Sequence, residues 1–158
     1  MNRFSLPKNL LTDENSPSAP PVADDVPLVL LFSKNSESRL LLRTFLKIWK
    51  CRVRAASSEA DLIRLVKSES PKLILLDMSL AFDEDLALLR RMRESSLCGD
   101  IPIVVVSGHA RAQDCDSALA FGANECLTKP LDFDRLENSV REYSSADGLT
   151  KQNFGGLR

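Results

Sequence analysis

Four groups able to do chemistry stand at the ends of short apolar runs. Asp77 follows Leu73–Leu76, and Ser107 follows Pro102–Val106. Lys129 closes the run that begins at Glu125–Leu127, and Ser33-Lys34 follows Leu28–Phe32. If these runs are strands of one sheet, a carboxylate, a hydroxyl and two ammonium groups converge from segments far apart in sequence. Singly, each has an ordinary reading: Asp after a strand is a turn or cap residue, Ser107-Gly108 is a turn pair, and a lysine is solvated surface. Their joint placement carries the argument.

The elements that must position them are legible as a rhythm. The runs Leu73–Leu76 and Pro102–Val106 are continuous rather than alternating, which fits strands covered on both faces. Weaker strand signals lie at Leu28–Phe32, Cys51–Ala55 and Glu125–Leu127. Helical patterns separate them. The first carries Leu41, Leu42, Phe45, Leu46 and Trp49, with Ser36 as the expected N-cap. The second starts at Ser58 with Asp61 in a capping-box pattern. The third runs from about Glu84 through Met92, the fourth from about Ala112 to Phe121 with Gly122 ending it, and the fifth follows Asp132. Five βα units in series predict an α/β, flavodoxin-like (βα)5 three-layer sandwich with a parallel sheet in the order 2-1-3-4-5. Its crevice then lies at the carboxyl ends of the strands, where all four groups fall.

The chain has 158 residues, 44% hydrophobic and 27% charged, with a formal net charge of -1. That is one domain's worth of core, with no basic excess for nucleic acid, no membrane span and no signal-peptide pattern, so a cytoplasmic protein is expected. Residues 1–26, rich in Pro, Ser, Asp and Asn, read as a disordered tail, residues 27–143 as the domain, and 144–158 as a flexible tail. The cysteines at 51, 98, 115 and 126 show no C-x-x-C spacing and are expected to be free small hydrophobes.

From Pro27 to Tyr143 the chain resembles the receiver domain of bacterial two-component response regulators. The motifs are LILLD (Leu73–Asp77), PIVVVSG (Pro102–Gly108) and FGANECLTKPL (Phe121–Leu131). The resemblance implies that Asp77 accepts a phosphoryl group from a histidine kinase or phosphotransfer protein, that Ser107 hydrogen-bonds a phosphoryl oxygen, and that Lys129 pairs with phosphate. It also implies a cis Lys129-Pro130 peptide, with Gly108 leaving room for the incoming group. Such a domain is no classical enzyme; slow self-phosphorylation and self-dephosphorylation are the most it would catalyse. Output would be protein contact through the face built from the fourth helix, fifth strand and fifth helix, with homodimerisation as one form of it.

Several positions depart from the family pattern. The two acids that normally end the first strand and hold Mg²⁺ with the aspartate are Ser33 and Lys34 here. Asp77 with Lys34 and Lys129 counts to about +1, a charge that repels a dication, so Mg²⁺ binding is doubtful and Lys34 is a candidate built-in counter-ion to Asp77. The alternative is a Lys34 that points into water beside a degenerate pocket. Asp83, Glu84 or Asp85 could offer a substitute ligand, although acids at a helix start need no further explanation. The aromatic switch position is Cys126, and His109 falls where the family tunes access of water.

Three other readings compete. A pseudo-receiver would keep the fold as a binding or dimerisation scaffold without phosphorylation. A haloacid-dehalogenase-type phosphatase needs a second acid two residues after its nucleophile, where this chain has Ser79. Flavin binding lacks the glycine that would bring backbone N–H groups to phosphate in SKNSES.

Overall fold

The computed structural model describes residues 26–78, 82–108 and 112–145. Five strands, β1 (Leu28–Ser33), β2 (Arg52–Ala56), β3 (Leu73–Met78), β4 (Ile103–Ser107) and β5 (Glu125–Thr128), form one sheet in the order β2-β1-β3-β4-β5. All four pairings are parallel. The helices are α1 (Ser36–Ile48), α2 (Glu59–Glu69), α3 (Phe82–Glu94), α4 (Ala112–Ala120) and α5 (Phe133–Ser144). The expected doubly wound architecture is therefore the observed one. Every residue of β1, β3 and β4 is buried, which is why those runs do not alternate.

Pleating sends alternate side chains to opposite faces. Leu30, Phe32, Ile74, Leu76, Ile103 and Val105 meet α2, α3 and α4 through Leu62, Leu65, Leu88, Leu89 and Ala118. Val29, Leu31, Leu73, Leu75, Val104 and Val106 meet α1 and α5 through Leu42, Leu46, Leu136 and Val140. Phe45 of α1 stacks on Phe133 of α5 with ring centroids 4.1 Å apart, joining the two helices of that face.

Helix starts follow local chemistry. Ser58 and Asp132 cap α2 and α5, accepting from the N–H groups of Asp61 and Arg135. At α1 the cap is Asn35 rather than Ser36: its side chain accepts the Ser38 N–H at 2.8 Å, and Ser36 is already helical. Either residue type serves, and the extended backbone at Asn35 decides between them. The third helix begins at Phe82, two residues before the expected Glu84.

Arg93, near the end of α3, ties the amino ends of β4 and β5 together. Its Nε donates to the Gly122 carbonyl at 2.7 Å, and Nη1 reaches the carbonyls of Cys98, Gly99 and Ile101. Nη2 donates at 2.6 Å to Asn124 Oδ1, which also accepts the Ile103 N–H. Gly122 has a φ of +118°, and a Cβ there would sit 2.2 Å from Arg93 Cγ. Glycine is required both to end α4 and to let the guanidinium pass.

A lysine cannot reproduce this fork. Arg93→Lys and Arg93→Ala should each cost about 2–4 kcal/mol by leaving several carbonyls without a donor. Urea unfolding measures this, and a loss below about 0.5 kcal/mol would remove Arg93 from its assigned place.

Candidate functional site

The carboxyl ends of β1, β3, β4 and β5 lie side by side, so groups far apart in sequence meet. Register sets the pairs: Ser33 lies opposite Asp77, Met78 opposite Ser107, and Ser107 opposite Thr128. Asp77 and Ser107 are the penultimate and last residues of their strands rather than the first loop residues. Backbone hydrogen bonds extend the sheet at this edge, from Gly108 N–H to the Met78 carbonyl and from Lys129 N–H to the Ser107 carbonyl. Lys129-Pro130 is cis, as the resemblance implied.

Asp77 is the centre of the site. Its side chain has no exposed surface. Ser33 Oγ lies 2.7 Å from Asp77 Oδ2 and 3.0 Å from the Asn35 carbonyl. One hydroxyl has one proton, and the bond to the charged carboxylate is the stronger of the two. Lys129 Nζ is 2.9 Å from Asp77 Oδ1 and 3.4 Å from Ser38 Oγ. Apart from this ion pair, Oδ1 has no hydrogen-bond partner among the described residues. One carboxylate oxygen is thus held and the other is faced only by charge.

Lys34 does not pair with Asp77, nor does it point only into water. Its Nζ lies 3.7 Å from Glu84 and 3.8 Å from Asp85, in the first turn of α3. Ser33 occupies the place beside Asp77, and the next residue along the strand is directed away from it. Asp85 is buried, so the charge count of the pocket changes. The buried pair Asp77 and Asp85 balances Lys34 and Lys129 to about zero, and counting the exposed Glu84 beside Lys34 brings the sum to about -1, instead of the expected excess of one positive charge.

Burial pushes the Asp85 carboxyl above its ordinary value of 3.8. The Lys34 ammonium pulls it down, and the Glu84 and Asp77 charges push it up. The folded state thus holds the Asp85 proton more tightly than the unfolded chain does. Stability associated with this group is present below the ordinary carboxyl range and is lost as pH rises through the raised folded value.

The other expected residues fall as follows. Ser107 is fully buried at the end of β4, and Gly108 is exposed beside it. Ser79 and His109 lie outside the described residues. Cys126 is not free: it is disulfide-bonded to Cys115 of α4, and only Cys51 and Cys98 are free thiols. The expectation of four free cysteines is corrected because α4 packs along β5 and brings residues 11 apart in sequence to a Cα separation of 5.5 Å. Among the described residues no three acids, histidines or cysteines come together in a way that could hold a metal ion. Ser38, which the sequence reading did not single out, reaches the site because Asn35 starts α1 at the rim.

A parallel sheet of this order, with a buried strand-end carboxylate bonded by Ser33 and paired with Lys129, defines the flavodoxin-like class with a site at its switch point. Comparison with known proteins makes the assignment specific. The sequence model of the response regulator receiver domain matches residues 29–141. The chain belongs to the response regulator receiver family. An uncharacterised 14.6 kDa protein of Leptolyngbya boryana is 30% identical over 118 residues, covering 75% of this chain and 90% of that protein. The transcriptional regulatory protein KdpE of Staphylococcus aureus is 36% identical over 76 residues, covering 48% of this chain. The chain spans 32% of the length of KdpE and 23% of that of ZraR from Salmonella typhimurium.

Solved structures show the same fold. A response regulator from Chloroflexus aurantiacus superposes with a TM-score of 0.68 at 20% identity, covering 75% of this chain and 97% of that one. The receiver domain of the sensor histidine kinase PA1611 of Pseudomonas aeruginosa has a TM-score of 0.65 at 20% identity over the same shares, with a magnesium ion in its active-site cleft. Among the described residues no helix is long and apolar enough to cross a membrane.

Asp85→Asn should be more stable than the parent at neutral pH, because an amide carries no charge to desolvate. The advantage should shrink as pH falls toward about 4, where Asp85 protonates in both states. Thermal melts across that range check it, and an advantage that stays constant or reverses would contradict the assigned burial cost.

Proposed function

We propose that this chain is a receiver whose phosphoacceptor is Asp77, working without dependence on a divalent cation. The observation that carries the proposal is the asymmetry of the Asp77 carboxylate. Ser33 holds Oδ2 in place, while Oδ1 has Lys129 at 2.9 Å as its one described partner. An oxygen with free lone pairs beside an ammonium is arranged for attack on phosphorus.

In the step, Asp77 Oδ1 bonds to the phosphorus of a phosphohistidine on a histidine kinase or phosphotransfer protein. The P–N bond breaks, and the imidazole leaves with its electron pair and takes up a proton. Lys129 moves from the carboxylate to a phosphoryl oxygen, as its partly exposed side chain permits. Ser107 donates to a second phosphoryl oxygen, and water later hydrolyses the acyl phosphate at phosphorus. Because Asp77 has no exposed side-chain surface, Lys129 must yield before the donor can enter, which favours slow turnover.

The donor set does not fit Mg²⁺. The cation seeks near-octahedral oxygen ligands, usually including carboxylates. Strand β1 ends in a hydroxyl already engaged with Asp77, and the ammonium of Lys34 just after it lies against Asp85. Output is proposed to pass through protein contact at the α4-β5-α5 face, where Leu119 is 46% and Phe121 37% exposed.

Intact mass after incubation with a small acyl-phosphate donor tests the reading. One phosphate should add to the parent with or without Mg²⁺, and none to Asp77→Asn. Replacing both Ser33 and Lys34 by Asp should confer Mg²⁺ dependence with a gain of at least about tenfold in rate. A strict Mg²⁺ requirement in the parent would overturn the metal-free reading. The absence of any adduct under all conditions would leave the pseudo-receiver scaffold.

A further inference from the structure

The disulfide Cys115–Cys126 links α4, the helix after the Ser107 strand, to β5, the strand before Lys129. Helix α4 begins at Ala112, four residues after Gly108 and five after Ser107 at the end of β4. Cys126 precedes Lys129 by three residues on β5. The bond therefore joins the helix that follows the Ser107 strand to the strand that precedes Lys129.

The tether matters because little apolar burial holds α4, whose other buried side chain, Asp114, is polar. It is the shortest of the described helices at nine residues. Among its described side chains Ala118 is the only buried apolar one, while Leu119 is 46% exposed. Alanine buries little surface, so hydrophobic anchoring of α4 is weak beside that of α1, which buries Leu42 and Leu46. Segments with few buried apolar contacts open at low free-energy cost unless cross-linked.

We propose that Cys115 and Cys126 are a redox-switched latch: oxidised, they pin α4 to β5, and reduced, they let α4 leave the sheet and change the α4-β5-α5 face. Both residues are only partly buried, so a small thiol or disulfide can reach them. Neither remaining thiol competes. Cys98 is buried with its Sγ–H donated to the Met92 carbonyl at 3.1 Å, and Cys51 packs on the opposite face of the sheet.

The chemistry is thiol–disulfide exchange with a small-molecule disulfide such as oxidised glutathione. The Cys115 thiolate attacks that S–S bond, forming a mixed disulfide and releasing one glutathione thiolate. The Cys126 thiolate then attacks Cys115 Sγ and displaces the second. Two cysteine thiols lose two electrons and two protons, and one glutathione disulfide becomes two thiols. A dithiol reverses the process. None of this depends on phosphorylation of Asp77.

The test equilibrates the full chain in glutathione buffers of stepped ratio, quenches with acid, unfolds the chain and alkylates it. At the oxidising end two thiols should alkylate, and a non-reduced peptide map should join Cys115 to Cys126. At the reducing end all four should alkylate. In parallel, hydrogen exchange of α4 amides should be at least about tenfold faster in the reduced chain. In Cys115→Ser and in Cys126→Ser it should be fast at both ends. Four alkylated thiols at the oxidising end, a different pairing, or equal α4 exchange in both redox states would each overturn the latch.

Discussion

A carboxylate with no exposed surface costs several kcal/mol unless a cation and a donor face it. At Asp77 those are Lys129 at 2.9 Å and Ser33 at 2.7 Å, and much of the surrounding architecture follows from keeping all three together. The parallel register places Ser33 opposite Asp77. The β4–β5 pairing, braced at its far end by Arg93, brings Lys129 across Ser107. The α1 start at Asn35 sets Ser38 beside the ammonium. The chemistry proposed for the site reuses this same electrostatic balance, since the cation that stabilises the resting carboxylate is the one that can follow the charge onto a phosphoryl group.

Replacing the first-strand acids redistributes charge over a wider area. Ser33 makes a direct hydrogen bond to Asp77. Lys34 moves its charge outward to Glu84 and Asp85, drawing the start of α3 into the site's electrostatics. The result is a pocket whose fixed charges sum to about zero among Asp77, Asp85, Lys34 and Lys129. In the metal-free reading proposed for the site, Lys34 and Lys129 supply the positive charge that a dication would otherwise bring. The burial cost carried by Asp85 shows that the compensation is imperfect.

The sheet order, the five βα units and the gathering of Asp77, Ser107 and Lys129 at one edge were legible in the sequence. They depend on local hydrophobic periodicity and on topology, both of which are written residue by residue. The partner of Lys34 was not legible, because it depends on how closely the first turn of α3 approaches β1. Ser38 was missed for a related reason: its place at the rim follows from a one-residue choice of cap, Asn35 over Ser36. The Cys115–Cys126 bond carries no spacing motif. Its only signal was that one cysteine lay on a predicted helix and the other on the next strand of the same βα series. Arg93 left no trace in composition, and Gly122 was readable as a helix stop but not as the gap through which the guanidinium passes.

The most direct test of this account is a double-mutant cycle between Asp77 and Lys129, with Asp77→Asn, Lys129→Met and the pair compared by urea unfolding. Removing the lysine alone strands a buried carboxylate, whereas removing both charges relieves it. A coupling energy of about 1 kcal/mol or more is predicted, with Lys129→Met the least stable of the three variants. Additivity within about 0.3 kcal/mol would show that the two charges do not sense each other, and it would contradict the interaction on which the site is built.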